Sequence, residues 1–331
     1  MRRSYLVTGG AGFIGSHLVE QLLARGENVV AFDNLSTGRF RNLDHLGSHP
    51  NLTFVQGSVL DELAVDTLVH QCDVVVHLAA AVGVKLIVDE PLHSFTTNIR
   101  GSEIVIESAF RHRRPILVTS TSEIYGKNTD VPLKEDDDRV LGPPTVARWA
   151  YSTAKAVDEI LAYAYHRERG LPTKVVRLFN TVGPRQSPAY GMVIPRLVRQ
   201  AVKGEPLTIY GNGLQSRCFC HVSDVVDALV GLLDNDGAIG RVFNVGSQEE
   251  ISILALAERI IERTGSASKI QLIPYDQAFP PGFEDMQRRL PSIDRIRALT
   301  GWQPTRTLDQ ILTETIAEAA AEHAADLAGS A

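Results

Sequence analysis

With 331 residues, a net charge of −6 and 44% hydrophobic residues, the chain has the size and composition of a soluble globular protein of one or two domains. No apolar run approaches the ~20 residues of a membrane span. The longest basic run, Arg111-His112-Arg113-Arg114, is too short to favour non-specific nucleic-acid binding.

The first element is the most specific. A strand-like run over 4–8 leads into Gly9, Gly12 and Gly15, and a helical pattern follows over 13–25. Glycines there permit a tight turn and close approach of a pyrophosphate, while the helix N-terminus offers free N–H groups to the anion. The next strand, 28–33, ends at Asp33. A carboxylate in that place accepts hydrogen bonds from a ribose 2′-hydroxyl and repels a 2′-phosphate, which favours NAD over NADP. Arg39 and Arg41 argue the other way but come several residues late. A turn whose glycines serve packing alone is the competing reading, and Asp33 weighs against it.

Further strands are expected at 52–56, 73–78, 115–120, 173–178 and 242–245, and helices at 61–70, 94–112, 150–169, 189–203, 222–233 and 252–264. This alternation predicts an α/β fold: a Rossmann-type doubly wound parallel sheet covered on both faces, with a cofactor at the carboxyl ends of its strands. After about residue 180, prolines punctuate shorter segments and the regularity fades. A smaller interleaved α/β substrate lobe is expected there. The division is 1–179 with 222–247 for the NAD-binding domain and 180–221 with 248–327 for the second lobe.

Asp136-Asp137-Asp138 reads as a solvated loop. Cys72, Cys218 and Cys220, with the ten histidines, show no zinc-ligand spacing, so no metal is expected. An odd cysteine count without a secretion signal fits a reducing cytoplasm.

Tyr151 and Lys155 lie four apart at the start of the 150–169 helix and share one face. An ammonium beside a phenol favours phenolate, which can take a proton from a sugar hydroxyl as hydride leaves for a nicotinamide. Two surface residues would show the same spacing; behind an NAD loop, the catalytic reading is preferred.

These motifs recur with others. They are Thr-Gly-Gly-Ala-Gly-Phe-Ile-Gly-Ser-His-Leu (8–18), Asp33-Asn34-Leu35, Val-His-Leu-Ala-Ala (76–80), Ser-Thr-Ser-Glu-Ile-Tyr-Gly (120–126), Arg-Leu-Phe-Asn-Thr-Val-Gly-Pro-Arg (177–185), Pro-Leu-Thr-Ile-Tyr-Gly (206–211) and Gln-Ser-Arg-Cys-Phe (215–219). Over nearly its whole length the chain resembles the extended short-chain dehydrogenase/reductase family, in the branch that modifies nucleotide sugars. The resemblance implies NAD contacts at Gly9, Gly12, Phe13, Ile14 and Gly15 along the pyrophosphate and at Asp33 and Asn34 on the adenosine ribose. Ser58 and Val59 would meet the adenine, with Ser58 where the family usually has aspartate. Leu78, Ala79, Ala80 and Phe179 would pass the nicotinamide half. Ser36, Thr37, Gly38, Val82, Asn98 and Thr119 complete the cofactor set with Tyr151 and Lys155. Asn180, Arg185, Val193, Tyr210, Gln215, Arg217 and Arg289 would hold the nucleotide sugar.

Family members first oxidise sugar C4, and Thr121 resembles the hydroxyl that bridges O4 and Tyr151. The next two residues steer the ketone. Glucose 4,6-dehydratases carry Asp-Glu, so Ser122 disfavours dehydration. Simple 4-epimerases do not require the carboxyl group of Glu123. Thr-Ser-Glu is similar to UDP-glucuronate decarboxylases, in which a C4 ketone makes the uronate a β-keto acid that loses CO2. Arg289, in Arg-Arg-Leu-Pro-Ser-Ile (288–293), resembles the arginine that reaches the sugar in those enzymes, with Leu290 replacing lysine. Arg185 is a second candidate for the carboxylate. Two alternatives stay open: Glu123 as a structural carboxylate beneath Tyr125, and Arg289 as a diphosphate clamp. The expected substrate is UDP-glucuronate, with the choice between UDP and dTDP left open by the sequence. The rival activities are UDP-hexose or UDP-glucuronate 4-epimerisation and a catalytically silent NAD sensor. The resemblance also implies a homodimer through a four-helix contact of helices 94–112 and 150–169.

Overall fold

The computed structural model describes residues 2–83, 90–146, 148–187, 192–279 and 284–329. The first six strands are β1 (Ser4–Thr8), β2 (Asn28–Asp33), β3 (Leu52–Gln56), β4 (Val74–His77), β5 (Ile116–Thr121) and β6 (Thr173–Leu178). Short strands follow: β7 (Thr181–Val182), β8 (Leu207–Tyr210), β9 (Ser216–Cys218) and β10 (Cys220–His221). Then come β11 (Arg241–Val245), β12 (Glu250–Ser252), β13 (Ile270–Ile273) and β14 (Arg288–Arg289). The helices are α1 (Phe13–Ala24), α2 (Glu62–His70), α3 (Pro91–Arg111), α4 (Arg148–Arg169) and α5 (Val193–Val202). They continue with α6 (Val222–Leu233), α7 (Ile253–Thr264), α8 (Tyr275–Ala278), α9 (Asp294–Thr300) and α10 (Leu308–Gly329). Among the described residues no helix is long and apolar enough to cross a membrane.

Seven strands form one parallel sheet in the order β11-β6-β5-β4-β1-β2-β3. Its centre is buried on both faces, which is why β4 and β5 are near-continuous apolar runs. The pleat still sorts them. Tyr5, Val7, Val74 and Val76 pack towards α1 and α6, whereas Leu6, Val75 and Val118 pack towards α3. The chain leaves β1 for β2 on one side and returns to β4 on the other. That reversal opens a crevice at the carboxyl ends of β1 and β4.

The observed strands of this sheet lie within one residue of the expected bounds. The 94–112 helix begins earlier, at Pro91, because a proline fits the first turn. The 189–203 helix is seen as Val193–Val202; 188–191 lie outside the described residues. The later short strands were not expected. β8 pairs with β13, and β9 lies between β12 and β14. Their apolar residues, with α5, α7 and α10, enclose a separate core of Leu197, Leu207, Ile209, Leu256, Ile260 and Ile311.

A buried ion pair ties the large sheet to α4. Arg177 on β6 donates to both Glu159 oxygens at 2.9 and 2.8 Å and to the Tyr125 phenol oxygen at 2.9 Å. Tyr125 in turn donates to Asn244 Oδ1 at 2.7 Å. Removing one member leaves a buried charge without its partner. Glu159→Leu should therefore cost about 3–5 kcal/mol, read as a lower denaturant midpoint; an unchanged midpoint would show that the pair contributes nothing net.

Candidate active site

A cavity of about 1020 Å3 runs from the glycine turn to β14. Gly9 takes φ +71°, and its N–H donates to the Phe32 carbonyl at 2.8 Å. A Cβ on Gly15 would lie 2.0 Å from the Gly9 carbonyl oxygen, so the turn closes onto α1 only with glycine there. No side chain caps the N-terminus of α1, leaving its N–H groups for an anion. Asp33 lines the same space and accepts the Ala11 and Leu35 amides at 3.0 and 2.8 Å. Burial pushes its carboxyl up, against the pull of those donors. Cradle, helix end and ribose-facing carboxylate fit a dinucleotide.

Gly12, Phe13, Ile14, Asn34, Ser36, Thr37, Val59, Leu78, Ala79, Ala80, Val82, Thr119 and Phe179 also line the cavity. Three residues of the expected cofactor set stand behind its wall. Gly38 backs Asp33, where a Cβ would lie 2.7 Å from its carboxylate. The Ser58 hydroxyl accepts the Leu60 amide at 3.2 Å, while its neighbours Gly57 and Val59 face the cavity. Asn98 is buried and holds the Ala81 amide and carbonyl at 2.8 and 3.0 Å.

At the other end, Thr121 closes β5 and caps the turn that follows, accepting the Glu123 amide at 3.2 Å. Its hydroxyl also hydrogen-bonds the Tyr151 phenol. The spacing of Tyr151 and Lys155 suggested an acidified phenol; the structure reverses this. Burial, then the carboxylates of Glu123 and Asp158, push the Tyr151 phenol above its ordinary value. The Lys155 ammonium is engaged by Asp158 at 2.7 Å, which neutralises its charge.

Beside Tyr151 lies a buried charge cluster. Both Glu123 oxygens accept from Arg148, Nη2 to Oε1 at 2.9 Å and Nη1 to Oε2. Arg289 Nη1 donates to Ser122 Oγ at 3.2 Å, and its Nη2 lies 3.6 Å from Glu123 Oε1. Arg217 reaches Asp285 at 3.1 Å, and Arg148 lies 3.8 Å from the other Asp285 oxygen. Burial alone would raise the Glu123 carboxyl, but Arg148 and Arg289 hold it below its usual range. Burial, then repulsion from Arg217, lowers Arg289 to about 10.

The cluster draws on distant parts of the chain. Glu123 and Ser122 follow β5, and Arg148 opens α4. Parallel pairing of β14 with β9 sets Arg289 beside Arg217. Its neighbour Arg288 is exposed and grips Glu250 at 2.6 and 2.7 Å. Arg148 was legible in principle, three residues before Tyr151 on one helical face. Asp285 left no signal in the sequence.

The other expected substrate residues divide. Tyr210, Val193 and Gln215 line the cavity. Arg196 stacks on Tyr210 at 4.8 Å and Phe279 meets its edge at 5.2 Å; neither was anticipated. Asn180 lines the cavity and donates to the Cys218 carbonyl at 3.0 Å. Arg185 also lines it, but its guanidinium is engaged by Glu20 at 2.6 Å and by Ser16, so it is not free for a carboxylate. Among the described residues no group of three histidine, cysteine or acidic side chains is placed to hold a metal.

The profile of the NAD dependent epimerase/dehydratase family matches residues 5–246. The chain is 39% identical over 317 residues to the UDP-N-acetyl-alpha-D-glucosaminuronate decarboxylase of Bacillus cytotoxicus, a match spanning 96% of this chain and 97% of that one. It is 36% identical over 318 residues to UDP-glucuronic acid decarboxylase 1 of Danio rerio, spanning 95% and 72%. Among solved structures it is similar to the UDP-glucuronic acid 4-epimerase of Bacillus cereus, solved with UDP-glucuronic acid and NAD. The TM-score is 0.86 at 28% identity, covering 96% and 98% of the two chains. With the glycine turn, Asp33 and the Thr121–Tyr151 contact in place, the chain belongs to the NAD-dependent epimerase/dehydratase family, and its cofactor is NAD.

Proposed function

We propose that the chain is an NAD-dependent UDP-glucuronate decarboxylase, giving UDP-xylose, the 4-keto pentose or both. The observation that carries this reading is the charge beside Tyr151. Arg148, Arg217 and Arg289 face Glu123 and Asp285, so among the described residues of this cluster the positive charges outnumber the negative by one. A neutral hexose brings nothing to balance the excess; a uronate brings a carboxylate on C5, one bond from the reacting C4.

Tyr151 takes the O4 proton as C4 is oxidised. The glycine turn and Asp33 would hold NAD, which when bound would supply the hydride acceptor. The resulting β-keto acid loses C6 as CO2, and the C5–C6 electron pair moves onto the C4 oxygen. Thr121 and protonated Tyr151 are placed to hydrogen-bond that oxygen. Arg289, fixed by Ser122 and Glu123, holds the carboxylate until it departs, and C5 is then reprotonated from an ordered water. Glu123 stays ionised between its arginines and orients Arg289 and that water.

The division expected from the sequence serves the same reading: 1–179 with 222–247 for the cofactor, 180–221 with 248–327 for the nucleotide sugar. Leu92 and Phe95 on α3 and Ile160 and Tyr163 on α4 are exposed on two helices that pack together. They support a homodimer with a four-helix contact. Ile160→Asp should convert a dimer to a monomer in sedimentation velocity; a monomeric parent chain would remove the proposal.

The function is tested by incubation with UDP-glucuronate, or its 2-acetamido counterpart, and NAD. CO2 release with a pentose product is expected. UDP-galacturonate without CO2 would instead establish the 4-epimerase, the second reading, which the likeness to an epimerase solved with UDP-glucuronic acid favours. The contact of Thr121 with Tyr151 weighs against a silent sensor, which has no use for it.

A further inference from the structure

Behind the reaction centre lies a second set of buried polar side chains that the reaction leaves idle. Asp158 follows Lys155 by three residues on α4, and both side chains are at most 2% exposed. Ser102 on α3 stands beside the Asp158 carboxylate and favours its charged form, while Asp158 Oδ1 is buried with no hydrogen-bond partner among the described residues. Ser102 Oγ lies 3.0 Å from His77 Nε2 at the end of β4, and His77 Nδ1 lies 2.8 Å from Thr8 Oγ1 at the end of β1. Thr8 Oγ1 accepts the Ala79 amide at 3.2 Å.

One assignment of protons satisfies every contact. Ala79 N–H donates to Thr8, Thr8 O–H to His77 Nδ1 and His77 Nε2–H to Ser102, which leaves the Ser102 O–H free to turn towards Asp158. His77 is neutral in this chain; burial and the Lys155 charge lower its pKa to about 3. The far end abuts the glycine turn, since a Cβ on Gly9 would lie 2.9 Å from the Ala79 nitrogen. Asp158 is therefore held by the Lys155 ammonium, with the Ser102 hydroxyl beside it.

We propose that Asp158 is a positioning residue of the reaction centre: it anchors the Lys155 ammonium and, by neutralising it, governs how readily Tyr151 gives up its proton. The argument is one of net charge in a buried site. Phenol, ammonium and carboxylate sum to zero, and taking a proton from the pair leaves a buried negative charge. Without the carboxylate the pair would start positive and end neutral, so its first proton would leave at lower pH. The other charges facing the pair are the same in both cases. Glu123 is paired with Arg148, and Glu159, next to Asp158, is paired with Arg177.

This inference rests on Tyr151 acting as the base of C4 oxidation and not on the fate of C6. Its test is the pH profile of single-turnover C4 oxidation, followed by nicotinamide absorbance with UDP-glucuronate. In Asp158→Asn the acid limb should move down by about one pH unit. Asp158→Glu keeps the charge and should keep the parental limb. Ser102→Ala removes the nearby hydroxyl that favours the carboxylate's charge, leaves that charge less balanced, and should move the limb up. Limbs that coincide in all variants, whatever happens to the amplitude, would overturn the proposal. Should Asp158→Asn fail to fold, the direction of the Ser102→Ala shift decides alone. A substrate-free arm separates this inference from the choice of sugar. The tyrosinate step of Asp158→Asn, taken as the difference from its Tyr151→Phe double variant, should fall below the parental step. No displacement there overturns the proposal even if UDP-glucuronate is not the substrate.

Discussion

Tyr151→Phe is expected to lower kcat for C4 oxidation by about 10²–10⁴-fold, the usual reach of a positioned general base, with little change in NAD affinity. The phenol hydrogen-bonds Thr121 and sits within the field of Glu123, Asp158 and Arg148. Its removal deletes the proton acceptor and leaves the glycine turn and Asp33 untouched. Stopped-flow nicotinamide absorbance reads the step directly. A loss of less than about threefold would move the base elsewhere. Because burial keeps the resting phenol protonated, the parental rate should climb with pH before it levels.

Glu123→Gln should separate the two halves of the reaction. C4 oxidation is expected to fall only a few-fold, whereas CO2 release should fall by about 10²-fold or more, on the scale of losing one preorganised electrostatic group. The amide keeps the shape but no longer balances Arg148, so both Arg148 and Arg289 lose the charge that orients them. A 4-keto uronate would accumulate, visible as reduced nicotinamide without CO2. Equal loss of both steps would instead make Glu123 a structural carboxylate beneath Tyr125. A thermal midpoint measured alongside separates misfolding from a chemical effect.

Most of the large sheet was legible because its strands are buried on both faces and read as short apolar runs between helical patterns. The cofactor half was legible for a related reason: glycine, helix start and Asp33 act within one contiguous stretch. The reaction centre was less so. Its named members, Glu123 and Arg289, meet through a two-residue strand too short to leave a periodic trace. Their partners Arg148 and Asp285 depend on that same tertiary pairing. The sign of the Tyr151 shift was missed because spacing shows Lys155 beside it, whereas the carboxylate that cancels Lys155 is visible only once burial is known.

The pairing of β14 with β9 also bears on when, during synthesis, the enzyme acquires its chemistry. The glycine turn and Asp33 emerge first, and six of the seven strands of the large sheet precede residue 180. Arg289 leaves the ribosome more than a hundred residues later and then crosses back to Arg217 and Glu123. A nascent or truncated chain can thus present the cofactor half while lacking the arginine that would engage a uronate. The contact that makes the site selective forms only after the sheet that holds the cofactor has been made.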